Sequence, residues 1–206
     1  MLKRVEFEAK SLQEAEKIAV EALRIQLDKI KISVIKEKKG ILGIGSSAVY
    51  EATPNINLAI EGKVYLESIL QTMGIESRME VRTLEESAEI HFLIESDENA
   101  LLIGREGKTL ISLQYLLRNY LATFVDGHQV VALDIGNYHE NRKRQLEILA
   151  TKTAKEVAKT RIAVKLDPMN AYDRRIVHTK LSEWRDVYTE SEGEGDQRRL
   201  VIKPKD

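Results

Sequence analysis

The stretch that decides how this chain is read is Ile103-Gly104-Arg105-Glu106-Gly107-Lys108-Thr109, a glycine-basic-acidic-glycine turn between two helical patterns. Glycines at this spacing let the main chain take dihedrals that a Cβ forbids and approach a ligand closely, and the next helix opens with N–H groups that lack intrahelical partners. Such a turn suits phosphate. Nucleotide-hydrolase loops also close in Gly-Lys-Thr, as Gly107-Lys108-Thr109 does, but their pattern needs its first glycine at position 102, where Leu102 stands. The turn therefore reads as a candidate clamp for a polyanion backbone, or as an ordinary interhelical turn, rather than as a nucleotide cradle.

Upstream, Met79 and Val81, then Ile90, Phe92 and Ile94, alternate as two strands across a polar Glu85-Glu86-Ser87 turn. Before them Leu58, Ile60, Val64, Tyr65, Ile69, Leu70 and Met73 keep helical spacing up to Gly74, a C′ glycine. Ser96-Asp97 is expected to cap a short helix through Leu102, and Leu110, Leu113, Leu117, Leu121 and Phe124 mark the helix after the turn. Val130 to Ile135 supply a strand. Residues 57–136 thus read as a helix, two strands, a helix–turn–helix centred on the glycines, and a third strand.

On the N-terminal side, Val5, Phe7 and Ala9 alternate with polar residues, and Ser11-Leu12-Gln13-Glu14 is a capping box before Leu12, Ala15, Ile18, Ala19, Ala22 and Leu23. Ile32, Val34 and Ile35 suggest a strand, Lys36 to Gly45 a glycine-bearing return, and Ala48 to Ala52 another strand, so residues 1–52 read as βαββ. Pro54 with Asn55 and Asn57 ends that unit and caps the next. On the C-terminal side, Tyr138 to Lys159 is a long helix with Leu146, Leu149, Ala150, Ala154 and Val157 as its buried stripe. Ile162, Val164 and Leu166 form a short strand, Ala171 to Trp184 a helix, and Val187–Thr189 and Arg199–Ile202 two closing strands. The fold class is α+β, with three small domains in series at 1–52, 57–136 and 138–206.

Composition narrows the function. The 206 residues, 43% hydrophobic and 32% charged, suffice for one large domain or two to three small ones. No apolar run approaches the ~18 residues of a membrane helix, and the start of the chain lacks the apolar core of a signal peptide, so a cytoplasmic location is expected. The absence of cysteine excludes disulfides, thiolate zinc sites and a cysteine nucleophile. His91, His128, His139 and His178 show no His-Glu-x-x-His spacing, and there is no Gly-x-Ser-x-Gly turn. No catalytic residue, metal site or cofactor is expected. The net charge of −1 hides an asymmetry: residues 138–206 hold 16 Lys/Arg against 12 Asp/Glu, whereas residues 1–137 hold 16 against 21. The C-terminal third is the better candidate for a polyanion surface, the other reading of so small an excess being a solvated, salt-bridged face.

Arg174 and His178, four apart on a predicted helix, share one face and can converge on one ligand. The guanidinium is permanently charged, and imidazole offers an N–H donor in either protonation state, the other reading being that His178 merely packs or hydrogen-bonds internally.

Residues 57–136 resemble a type II K-homology domain, whose GXXG loop clamps about four nucleotides by their backbone. Glu106 departs from that pattern, because the variable pair is often basic. Asn170 to His178 resembles the R-3-H domain, a single-stranded nucleic-acid module named for the Arg-x-x-x-His spacing. With Lys38-Lys39-Gly40-Ile41-Leu42-Gly43-Ile44-Gly45 in the first domain and the Ser191–Arg199 hairpin at the end, the whole chain resembles the Jag family, also called KhpB, EloR or SpoIIIJ-associated protein.

The resemblance implies binding of single-stranded RNA, with single-stranded DNA as the alternative polyanion. Gly104 and Gly107 would admit the backbone, Arg105 and Lys108 would neutralise phosphate, Ile103 would support the base-facing groove, and Glu106 would weaken the grip. Arg174 and His178 would hold a second phosphate, with Arg142, Arg144, Arg175 and Arg198 as auxiliaries. It further implies a post-transcriptional role in bacterial cell elongation, division or envelope synthesis. The implied partners are a small K-homology protein (KhpA), a membrane insertase and elongation proteins, with recruitment to membrane or septum. The competing expectation is a protein–protein adaptor at that machinery, with RNA incidental; the sparse aromatics, 5%, favour it.

Overall fold

The computed structural model describes residues 1–38, 47–84, 89–127 and 129–205. They form two compact units, Met1–Gly136 and Asn137–Asp206.

The N-terminal unit opens with β1 (Val5–Ala9), α1 (Leu12–Leu23), β2 (Ile30–Lys38) and β3 (Ser47–Pro54), an antiparallel sheet in the order β1-β3-β2. Ser11 starts α1: its hydroxyl accepts the Glu14 N–H at 3.2 Å, and Glu14 reaches back to the Lys10 N–H at 2.8 Å. The expected box forms with its return bond shifted to the preceding residue. Ala15 and Ala19, both fully buried, let α1 lie close on Ala52 and Tyr50 of β3. Val34 and Ile35 are both 52% exposed, because the β2–β3 register shifts between Val34 and Lys36 and breaks the alternation there. The expected Lys36–Gly45 return falls mostly on residues 39–46, and the Glu85–Ser87 turn on 85–88; both lie outside the described residues.

The same unit continues with α2 (Leu58–Thr72), β4 (Arg78–Leu84), β5 (Glu89–Glu95), α3 (Asn99–Ile103), α4 (Lys108–Ala122) and β6 (Val131–Ile135). The central β5 pairs antiparallel with β4 and parallel with β6. The Asn57 side chain caps α2 by accepting from Ala59 and Ile60 N–H at 2.9 and 3.1 Å, and Gly74 at φ 72° ends it. The face that α2 buries differs from the expected one. It presents Gly62, Leu66 and Leu70, leaving Ile60 and Val64 63% and 55% exposed. Gly62 is the cause: a Cβ there would sit 2.5 Å from Cζ of Phe92, the buried centre of β5, so only glycine allows this approach. Ser96 does not cap α3; its hydroxyl accepts the Glu98 N–H and donates to the Glu76 carbonyl instead.

The βαββ layer and the helices behind β5 are joined within this unit. Lys3 N–H donates to Phe124 O and Asp126 N–H to Met1 O, each at 3.0 Å. Lys29 pairs with Glu61, which also accepts from the Tyr120 hydroxyl at 2.5 Å, and Tyr120 stacks on Tyr65 with ring centroids 4.1 Å apart. Burial pushes the Glu61 carboxyl up, but the bonds from Lys29 and Tyr120 outweigh it and hold the group below the usual carboxylate range. The bond to Glu61 raises Lys29 above the ordinary lysine value.

The C-terminal unit is α5 (Tyr138–Thr160), β7 (Val164–Lys165), α6 (Ala171–Leu181), β8 (Val187–Glu192) and β9 (Arg199–Pro204), with β9 central in an antiparallel β7-β9-β8 sheet. Leu146, Ala150, Ala154 and Val157 of α5 meet Val177 and Leu181 of α6 and Leu200 and Ile202 of β9 in one core. Thr153 completes the buried line of α5, and Leu149 is exposed. Helix α6 stops at Leu181 rather than Trp184. The Ser182 hydroxyl and N–H both turn back on Thr179 O, and the looser turn that follows packs Trp184 against the core. The elements follow the expected α+β order, βαββ, αββααβ and αβαββ, each with its own three-stranded sheet, and the first two share one compact unit.

Candidate nucleic-acid interface

Gly104 ends α3 at φ 69°, ψ 179°, a region that only glycine occupies without strain. A Cβ there would lie 2.1 Å from Thr109 Oγ1 and 3.1 Å from Thr109 N, so the side chain is excluded by space as well as by dihedral. Gly107, buried at φ 76°, starts α4 with no side-chain cap. Between them Glu106 takes a left-handed φ of 58°, which costs an L-residue about 1–2 kcal/mol. Arg105 and Lys108 are exposed, and Ile103 is half-buried as the last residue of α3. Leu101 and Ile111 flank the loop with 56% and 52% of their surface exposed. The loop thus combines a bare backbone, two cations and apolar shoulders. Thr109 also belongs to the loop, because it fixes how close the chain folds at Gly104, a role that no local pattern signals.

In the C-terminal unit the Asn170 side chain caps α6 by accepting the Asp173 N–H at 2.9 Å. Arg174 donates to the Met169 carbonyl at 2.8 Å, and His178 Nδ1 lies 2.6 Å from the Thr189 hydroxyl of β8. The pair therefore lies on one face, turned toward the loop before α6 and the sheet. Met169 N–H in turn donates to the Arg198 carbonyl at 3.1 Å, which brings Arg198 to the Arg174 end.

The remaining arginines lie elsewhere. Arg142 makes two bonds to one oxygen of Asp173, at 2.9 and 3.0 Å, and Asp173 is 2% exposed. Its charge answers a buried carboxylate, and no sequence spacing signals a pairing across 31 residues. Arg144 is exposed and lies 3.5 Å from Glu140. Arg175 sits about 100° around α6 from Arg174, on the side facing α5. Among the described residues no group of His, Asp and Glu could hold a metal ion, and no helix is long and apolar enough to cross a membrane.

A βαββ layer, an αββααβ unit with a glycine loop between helices, and an αβαββ unit bearing Arg-x-x-x-His define a class of modular protein that joins a K-homology domain to an R-3-H domain. Family models match in that order: Jag N-terminus over residues 7–54, the KhpA/KhpB KH domain over 63–135, and the R-3-H domain over 144–204. The chain belongs to the KhpB family. It is 35% identical over 199 residues to a Clostridium symbiosum protein named RNA-binding protein KhpB, covering 96% of this chain and 90% of that one. It is 32% identical over 201 residues to a Bacillus subtilis protein of the same name, covering 95% and 96%. A similar protein of Lactiplantibacillus plantarum is 33% identical over 138 residues, 67% of this chain and 42% of its own length.

Proposed function

We propose that this protein binds single-stranded RNA at two places, the Gly104–Gly107 loop and the Arg174/His178 face. The observation that carries the reading is the Gly104 backbone: a positive φ and no room for a Cβ, three residues before the Gly107 start of α4, which has no side-chain cap, with Arg105 and Lys108 exposed beside it. The names of the relatives support it. The modules are residues 1–52, 57–136 and 138–206. Ile103 supports the base-facing side, Glu106 weakens the grip, and Arg198 assists Arg174. Arg142 positions α6 through Asp173. Each site alone is weak, and two sites on one chain raise the effective concentration of the second contact.

The family resemblance supports a cytoplasmic post-transcriptional role in cell elongation, division or envelope synthesis, with recruitment to membrane or septum. The family model spanning KhpA and KhpB supports pairing with a small K-homology protein. The test is a titration of single-stranded RNA across a salt series with wild type, Gly104→Asp/Gly107→Asp, and Arg174→Ala/His178→Ala. Log affinity should fall with log salt at about −0.7 per phosphate contacted, and each double variant should weaken binding. Wild-type affinity no better than that of the variants at low salt refutes the RNA reading.

A further inference from the structure

Helices α5 and α6 pack against each other and leave a cleft of about 840 Å³ on their solvent side, lined by Lys143, Tyr172, Arg175, Thr179, Lys180 and Trp184. A second hollow of about 420 Å³ continues it along α5 past Arg144, Ile148, Lys152 and Lys155, and the two share Glu147 and Lys180. Six cations line this groove against two carboxylates, Glu147 and Glu183. That excess of four equals the whole excess of residues 138–206, 16 Lys/Arg against 12 Asp/Glu, so the net charge of this unit lies along the groove while its other cations are balanced in number by carboxylates.

These cations are poorly answered. Lys180 lies 3.8 Å from Glu147 and Arg144 3.5 Å from Glu140, while Lys143, Lys152, Lys155 and Arg175 have no carboxylate in ion-pair reach among the described residues. The aromatic walls are Tyr172, 58% exposed, and Trp184, half-buried and packed against the core.

We infer that the α5/α6 groove is a separate track for single-stranded RNA, with a base stacked against Trp184 and Tyr172 and the following phosphates carried along α5. It rests on the RNA-binding reading above and differs from it in place. Arg174 and His178 occupy the other side of α6, bonded to Met169 O and Thr189 Oγ1. Lys143 to Lys155 spans about 18 Å of helix, room for about five nucleotides at the ~3.4 Å rise of a stacked strand. A concave floor with aromatic walls fits bases, which offer π-faces to the rings and amino groups to Glu147 and Glu183. A flat anionic membrane could reach the rim lysines but would meet those carboxylates without compensation.

Trp184 is the one tryptophan of the chain, so its emission reports this cleft. The full-length protein is titrated with a labelled, unstructured RNA while RNA anisotropy and Trp184 emission are read together, with the same sequence as DNA and with phosphatidylglycerol vesicles in parallel arms. Quenching should track the anisotropy rise. Lys143→Ala/Arg175→Ala/Lys180→Ala should abolish the quenching and weaken binding at least about tenfold with a shallower salt slope, whereas Arg174→Ala/His178→Ala should bind less yet still quench. Trp184→Ala should weaken binding and Trp184→Phe should keep it. An anisotropy rise with unchanged Trp184 emission and equal affinity of the triple variant overturns the groove and leaves the RNA reading standing. No anisotropy rise in any arm overturns both. Emission that responds to vesicles and not to RNA makes the groove a membrane surface and overturns the inference.

Discussion

Replacing Gly104 with alanine separates two reasons why this position is glycine. The backbone stands at φ 69°, ψ 179°, and holding a residue with a Cβ in that region costs roughly 1–3 kcal/mol. Independently, the new Cβ would sit 2.1 Å from Thr109 Oγ1, 2.9 Å from Thr109 Cβ and 3.1 Å from Thr109 N. Rotation of Thr109 relieves only the first contact, so the start of α4 must also move. At about 4 °C per kcal/mol for a unit of this size, the dihedral alone lowers its melting midpoint by about 4–12 °C.

The assay is a double-variant cycle of Gly104→Ala and Thr109→Ala, read by thermal melting and by RNA affinity. Thr109→Ala should recover part of the lost stability, since it removes Oγ1, while the dihedral cost remains. Complete recovery of melting, or a Gly104→Ala protein that melts and binds as wild type, would refute the conformational argument.

Glu61→Gln should destabilise the N-terminal unit by about 1–3 kcal/mol at neutral pH, because Lys29 and Tyr120 lose a part-buried charged partner. Glu61 is depressed, so its contribution is complete above the ordinary carboxylate value and fades as pH falls through the lower folded one; Lys29 is raised, so its share fades only as pH rises past the ordinary lysine value. The gap in melting between wild type and Glu61→Gln should be flat around neutrality and close below about pH 4. Arg142→Ala should cost about 3–5 kcal/mol by denaturant titration, since it leaves Asp173 buried and unpaired, while Arg144→Ala stays within about 0.5 kcal/mol. Equal effects of the two would remove the positioning role of Arg142. Glu106→Gly should raise both the melting midpoint and RNA affinity, because it relieves a left-handed φ and removes a negative charge from the loop; a fall in either would count against the clamp geometry.

The glycine turn, the Ser11 and Asn57 caps, the Gly74 stop and the Leu110–Phe124 stripe were legible because each depends on neighbours within a turn or two of chain. Local pattern failed where a distant residue set the geometry. Ile60 and Val64 carry a helical period yet face solvent, because Phe92 of another element claims the Gly62 face of α2. Trp184 fits a helical run, but the Ser182 turn ends the helix and core packing places the ring beside α5.

The candidate site divides the same way. Gly104, Gly107 and the Arg174/His178 pair could be read from the chain, since dihedral freedom and helical spacing are local properties. The arginines could not be sorted by spacing. Only tertiary packing gives Arg142 to a buried carboxylate across 31 residues, turns Arg175 toward α5 and brings Arg198 beside Met169. Domain order and the conformations that demand glycine follow from the chain alone, because sterics and periodicity act over a few residues. The tertiary structure decided which charges stay open to a ligand, because desolvation and pairing depend on what the fold brings within a few ångströms.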